Sequence, residues 1–155
     1  MAVVAFMVIY YRLFGFFAIL ALGVYTVIVL AIFKLIPVTL TLSGIAGFIL
    51  SIGMAVDANI LVFERIREER AAKKSLGLAL DDGFSRAWSS IKDGNISTLI
   101  TAFILFWFGT SVVKGFALTL IVGVVVSMFS AIFVTKNLLK IFVGRKIADV
   151  KWLWQ

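Results

Sequence analysis

The 155-residue chain is 63% hydrophobic and 15% charged, with a mean hydropathy of +1.13; soluble domains carry about 25% charged residues, so a soluble globular domain is excluded. The net charge of +7 does not point to nucleic acid, because Lys and Arg fall between or after the apolar runs, where membrane topology explains them. The absence of Cys and His removes thiol chemistry, disulfides and the usual zinc sites.

Residues 2–11 form a ten-residue apolar run, about 15 Å as a helix and too short to span a bilayer. It lacks the basic flank of a signal peptide and reads as the end of a membrane helix that starts elsewhere. A second run covers residues 13–36, with Tyr10, Tyr11, Phe14, Phe16 and Phe17 at a depth that suits aromatic side chains. Pro37, the single proline, falls where a helix break is wanted.

The third run, residues 38–63, holds Ser43, Gly47, Ser51 and Ala55 four residues apart. Small residues at that spacing allow close helix packing in lipid. Asp57 lies about 200° around the helix from Ala55, so carboxylate and stripe face different neighbours. A carboxylate at membrane depth costs roughly 2.5–3.5 kcal/mol on insertion scales and is by default functional, facing a bundle interior or a watery cavity, with a neutral, hydrogen-bonded structural Asp as the alternative. Gly53, one turn earlier, removes bulk beside it, with helix packing as its blander role.

Residues 64–95 are the long polar segment and read as a cytosolic loop. Charges of both signs from Glu64 to Arg70 continue the third helix, with Glu69 expected to pair with Arg65 four residues earlier. Leu76, Leu80, Phe84, Ala87, Trp88 and Ile91 then recur at helical spacing. That apolar face predicts an amphipathic helix, lying either along the membrane or against the cytosolic ends of the bundle. In the fourth run, residues 96–111, the polar end brings Asn95, Thr98 and Thr101 to one face. They are predicted to line the surroundings of Asp57, although Thr hydroxyls also bond back to their own helix. A fifth run, residues 116–139, precedes a basic tail over residues 144–155. Alternating loops place 13 of the 15 Lys and Arg on one side, which the positive-inside rule makes cytosolic. No paired acid and base or activated nucleophile is visible, so the chain does not read as an enzyme. The expected fold is all-α: a polytopic bundle over residues 13–143.

Three stretches then resemble a known family: Leu42-Ser43-Gly44-Ile45-Ala46-Gly47, Gly53-Met54-Ala55-Val56-Asp57-Ala58-Asn59 and Phe63-Glu64-Arg65-Ile66-Arg67-Glu68-Glu69. With Trp88-Ser89-Ser90-Ile91, Asn95-Ile96-Ser97-Thr98-Leu99-Ile100 and Lys114-Gly115-Phe116-Ala117 in the same order, the chain is similar to the SecD/SecF family of protein-export membrane proteins. The pattern around the Asp is that of the SecD branch. The resemblance implies half of a pseudo-symmetric twelve-helix unit of the resistance-nodulation-division superfamily, without its periplasmic domain. It implies use of the proton-motive force to draw preproteins from the SecYEG channel, in the bacterial inner membrane and with SecF as partner. Protons would be the coupling ion and no other cofactor is expected. Asp57 matches the family's intramembrane carboxylate, whose basic partner would come from SecF. A proton-driven exporter of small molecules or lipids in the same superfamily is the alternative.

Overall fold

The computed structural model describes residues 2–143, and the side chains of residues 14–141. The flank Tyr10–Tyr11–Arg12 lies outside the described side chains. The basic tail, with Arg145, Lys146, Lys151, Trp152 and Trp154, lies outside the described residues altogether.

The first helix, α1, runs Ala2–Leu35 and passes without a break through residues 10–12, where the sequence suggested two separate runs. Tyr, Arg and Leu are all permissive in a helix; the chain turns only before Pro37, which lacks an amide donor and restricts its predecessor. Helix α2, Leu42–Ala71, begins at Thr41, whose Oγ1 accepts the Gly44 N–H at 3.2 Å, an N-cap that satisfies one orphan donor. It ends with Ala72 N–H on the Glu68 carbonyl and Lys73 at φ 62°, a left-handed residue closing the C-terminus where glycine is usual.

The larger departure from expectation is helix α3, Leu76–Phe108, capped by Ser75. The polar segment 64–95 is helical apart from the turn after α2, and α3 carries the amphipathic stretch and the fourth apolar run in one rod. No proline interrupts it, and the space around a Cβ at Gly94 is open, so nothing there forces a bend. Leu76, Leu80, Phe84, Ala87 and Ile91 are buried in one cluster with Phe63 and Ile66. Gly83 lets the rods touch, since a Cβ there would stand 2.8 Å from the Ile66 side chain. The apolar face of this stretch therefore packs on the bundle and does not lie along a membrane surface. Trp88, at its edge, stays 36% exposed.

Helix α4, Ser111–Phe129, continues through a π-helical segment, Ser130–Thr135, into α5, Lys136–Val143. Among the described residues three stretches are long and apolar enough to cross a membrane: Phe14–Leu35, Leu42–Ala71 and Ser111–Ile141. The expected stripe on α2 meets α4 and α1. A Cβ on Gly47 would lie 2.6 Å from the Phe116 carbonyl and nearer still to Thr119. Ser51 closes on Gly123 and bonds Tyr25 Oη at 2.7 Å. Ala55 is buried with Tyr25, Val29 and Val126, and Ser43 lies beside Gly115. Without a hydrophobic drive between helices in lipid, such backbone approach is what holds them.

At the polar end, ion pairs tie the rods together. Arg65 pairs with Glu68 at 2.8 Å and Arg67 with Glu64 at 3.3 Å, each along α2. Glu69, expected to serve Arg65, instead reaches Lys74 and Arg86 and is buried. Lys74 bonds Asp82 at 2.6 Å as well, and those two carboxylates, Asp82 first, hold its ammonium protonated above the usual lysine range.

Candidate functional site

Asp57 sits on an exposed position of α2, among mostly apolar neighbours. It opens on a cleft of about 240 Å³ between α2 and α3. Met54, Ala58 and Leu61 form the near wall; Ser90, Ile91, Gly94, Asn95 and Thr98 form the far one. Of the three polar residues expected around Asp57, the fold brings two, Asn95 and Thr98, to the cleft. Asn95 is buried, with 9% exposure.

Thr101 does not reach the cleft. It is exposed and gives its hydroxyl to the Ser97 carbonyl at 3.0 Å. Thr98 likewise donates to the Gly94 carbonyl, at 3.2 Å, so its oxygen still offers a lone pair to the cleft. Gly53 is exposed, and a Cβ there would meet nothing within 4 Å. Among the described residues it therefore packs against no other helix. Among the described residues no Lys or Arg forms an ion pair with Asp57.

Two features of the site escaped sequence reasoning. The first is Ser90 and Gly94, which continue Thr98 at a spacing of four. The signal was present, but a boundary drawn at residue 95 hid it. The second lies behind Asp57. Asn59, buried at 3% exposure, donates Nδ2–H to the Ala55 carbonyl at 3.1 Å and accepts the Thr135 hydroxyl at 2.7 Å. Thr135 ends the π-helical segment, whose Ser130 donates to the Ala21 carbonyl of α1 at 3.3 Å. The helix bearing Asp57 is thus joined through a π turn, a feature often found at functional sites, to both neighbouring spans.

Residues 1–145 match the family model described as the C-terminal region of the protein export membrane protein SecD/SecF. The chain is 57% identical over 157 residues to protein translocase subunit SecD of Thermobaculum terrenum, covering 99% of this chain and 30% of that one. It is 60% identical over 149 residues to the same subunit of Dehalococcoides mccartyi, covering 93% and 33%. The crystal structure of SecDF, a translocon-associated membrane protein from Thermus thermophilus, superposes with a TM-score of 0.90 at 39% identity, over 94% of this chain and 20% of that one. The chain thus spans about a third of the length of the curated relatives it matches. A helical bundle with apolar spans, a carboxylate on its second helix and this agreement in sequence and shape place the chain in the SecD/SecF family of protein-export membrane proteins, as a SecD C-terminal membrane domain.

Proposed function

We propose that this chain is the membrane-embedded part of a Sec translocase subunit that couples the proton-motive force to preprotein movement, with Asp57 as the proton relay. The observation that carries the reading is the cleft beside Asp57, polar at Asn95 and Thr98 and kept open by Gly53. An ionisable group at membrane depth that faces such a cleft is placed to exchange a proton with water. Asn95 and Thr98 supply oxygen and nitrogen partners along the route, and Thr101 extends the same helix face toward its apolar end. Ionised Asp57 needs a cation, which the second half of the unit, SecF, would present; protonated Asp57 does not. Each form therefore favours a different packing of α2 against that partner. One charge crossing 100 mV supplies about 2.3 kcal/mol, so sizeable work takes several protons or an added pH gradient. In this reading the complex sits in the bacterial inner membrane, the Glu64–Asn95 side and the C-terminus face the cytosol, and SecYEG delivers the preprotein.

The test is proton-motive-force-dependent translocation of a preprotein into inverted membrane vesicles carrying full-length protein with Asp57→Asn. Asn keeps the shape and removes the titration. Loss of the force-dependent part, with SecF still bound, is expected; unchanged transport overturns the relay.

A further inference from the structure

At the charged end of the bundle, on a different face from the Asp57 cleft, α3 and the segment from α4 to α5 flank an open cavity of about 520 Å³, lined also by Ser85 and Phe129. Its walls are apolar and largely aromatic: Phe84, Trp88, Met128, Ile132 and Phe133. The apolar walls offer water few hydrogen-bond partners, whereas hydrocarbon fits against them. The rim is different. Asp81 and Lys136 stand at the mouth, and the Asp81 carboxylate lies 3.4 Å from Lys136 Nζ and 3.0 Å from Lys140 Nζ. Two ammonium groups share one carboxylate, leaving one positive charge unmatched within the trio. Lys136 Nζ also lies over the Phe84 ring, 5.6 Å from its centroid, which holds that charge at the junction of rim and wall. An apolar slot capped by excess positive charge, at the end of the spans where the basic residues gather, suits one kind of molecule: an acyl chain below and an anionic headgroup above.

We propose that this cavity is a binding site for an anionic phospholipid, with acyl chain between Trp88 and Phe133 and headgroup phosphate at Lys136 and Lys140. The site is independent of the proton relay.

The probe is phosphatidylglycerol carrying a photoactivatable diazirine in its acyl chain, against phosphatidylcholine with the same chains, in nanodiscs holding the full-length protein with its partner subunit. Labelled peptides bearing Trp88 or Phe133 are quantified by mass spectrometry. Phosphatidylglycerol should label them about fivefold more than phosphatidylcholine, the preference that one surface lysine provides. Asp81→Asn frees both ammonium groups and should raise the ratio further, whereas Lys136→Gln with Lys140→Gln should bring it to parity. Lys136→Arg with Lys140→Arg keeps both charges and should keep the ratio, which separates loss of charge from loss of fold. Ser85→Trp, filling the cavity from α3, should remove both labels from these peptides. Equal labelling by the two lipids in the unaltered protein, or an Asp81→Asn ratio no higher than native, overturns the proposal. So does the absence of lipid label with the partner subunit covering the site.

Discussion

The hydroxyl of Thr135 lies 2.7 Å from Oδ1 of Asn59, and both side chains are buried. Thr135→Val keeps the volume and leaves the Asn59 amide oxygen without its donor. A buried acceptor stranded in this way costs about 1–3 kcal/mol. Thermal melting of the purified complex in detergent should show that loss for Thr135→Val. Thr135→Ser, which restores the hydroxyl, should melt close to the native protein.

Two glycines on α2 should respond in opposite directions. At Gly47 a Cβ would press into Thr119 and the Phe116 carbonyl, so Gly47→Ala should destabilise by about 1–3 kcal/mol through overpacking. At Gly53 a Cβ meets open space, so Gly53→Ala should raise stability by up to about 1 kcal/mol through helix propensity. Melting of the two variants side by side decides the matter; equal losses would mean that Gly53 packs as tightly as Gly47.

The Asp81 pairs make a pH prediction. Lys140 foremost, then Lys136, holds the Asp81 carboxyl below the usual carboxylate range. Because the folded value is depressed, the contribution is complete above the unfolded value of about 3.9 and is lost as pH falls through the lower folded value. The melting-temperature gap between native protein and Asp81→Asn should therefore be constant from neutral pH to about 5 and close below about pH 4. Asp81 is more than half exposed, so the gap should be small and should shrink with added salt.

Lys73 holds a left-handed backbone, φ 62°, at the turn between α2 and α3. A side chain in that region costs roughly 1 kcal/mol that glycine does not incur. Lys73→Gly should raise the melting temperature slightly, and Lys73→Val, with a branched Cβ, should lower it.

Length and apolarity made three of the four expected spans legible in the sequence. The exception is residues 96–111, which include the end of α3 and are not among the stretches long and apolar enough to cross. The spacing of Ser43, Gly47, Ser51 and Ala55 made the packing face of α2 legible too. Asp57 stood out because one carboxylate in an apolar run has no cheap explanation. What was hidden depended on partners distant in the chain. Glu69 seemed a local partner for Arg65 because spacing reveals only neighbours on the same helix, whereas Lys74 and Arg86 come to it across a turn. Helix was legible within residues 64–95, but their polarity hid that the amphipathic stretch and the fourth apolar run form one rod. Asn59 lies two residues from Asp57 and on the opposite face, so a search around the carboxylate passes over it. Thr135 gave no signal, because the π turn that brings it to Asn59 has no compositional mark.

That turn has a consequence for register along α4. Thr119 and Gly123 both face α2. In an unbroken α-helix, twelve further residues would carry Thr135 about 120° away from Gly123. One extra residue taken up by the π segment turns it back by about 100°, to within about 20° of the same line. A relative one residue shorter between positions 123 and 135 would present the same hydroxyl to α2 from a plain α-helix. Aligning the two chains would then require a gap inside a membrane span, and an alignment that moved it to a loop would assign every intervening side chain to the wrong face.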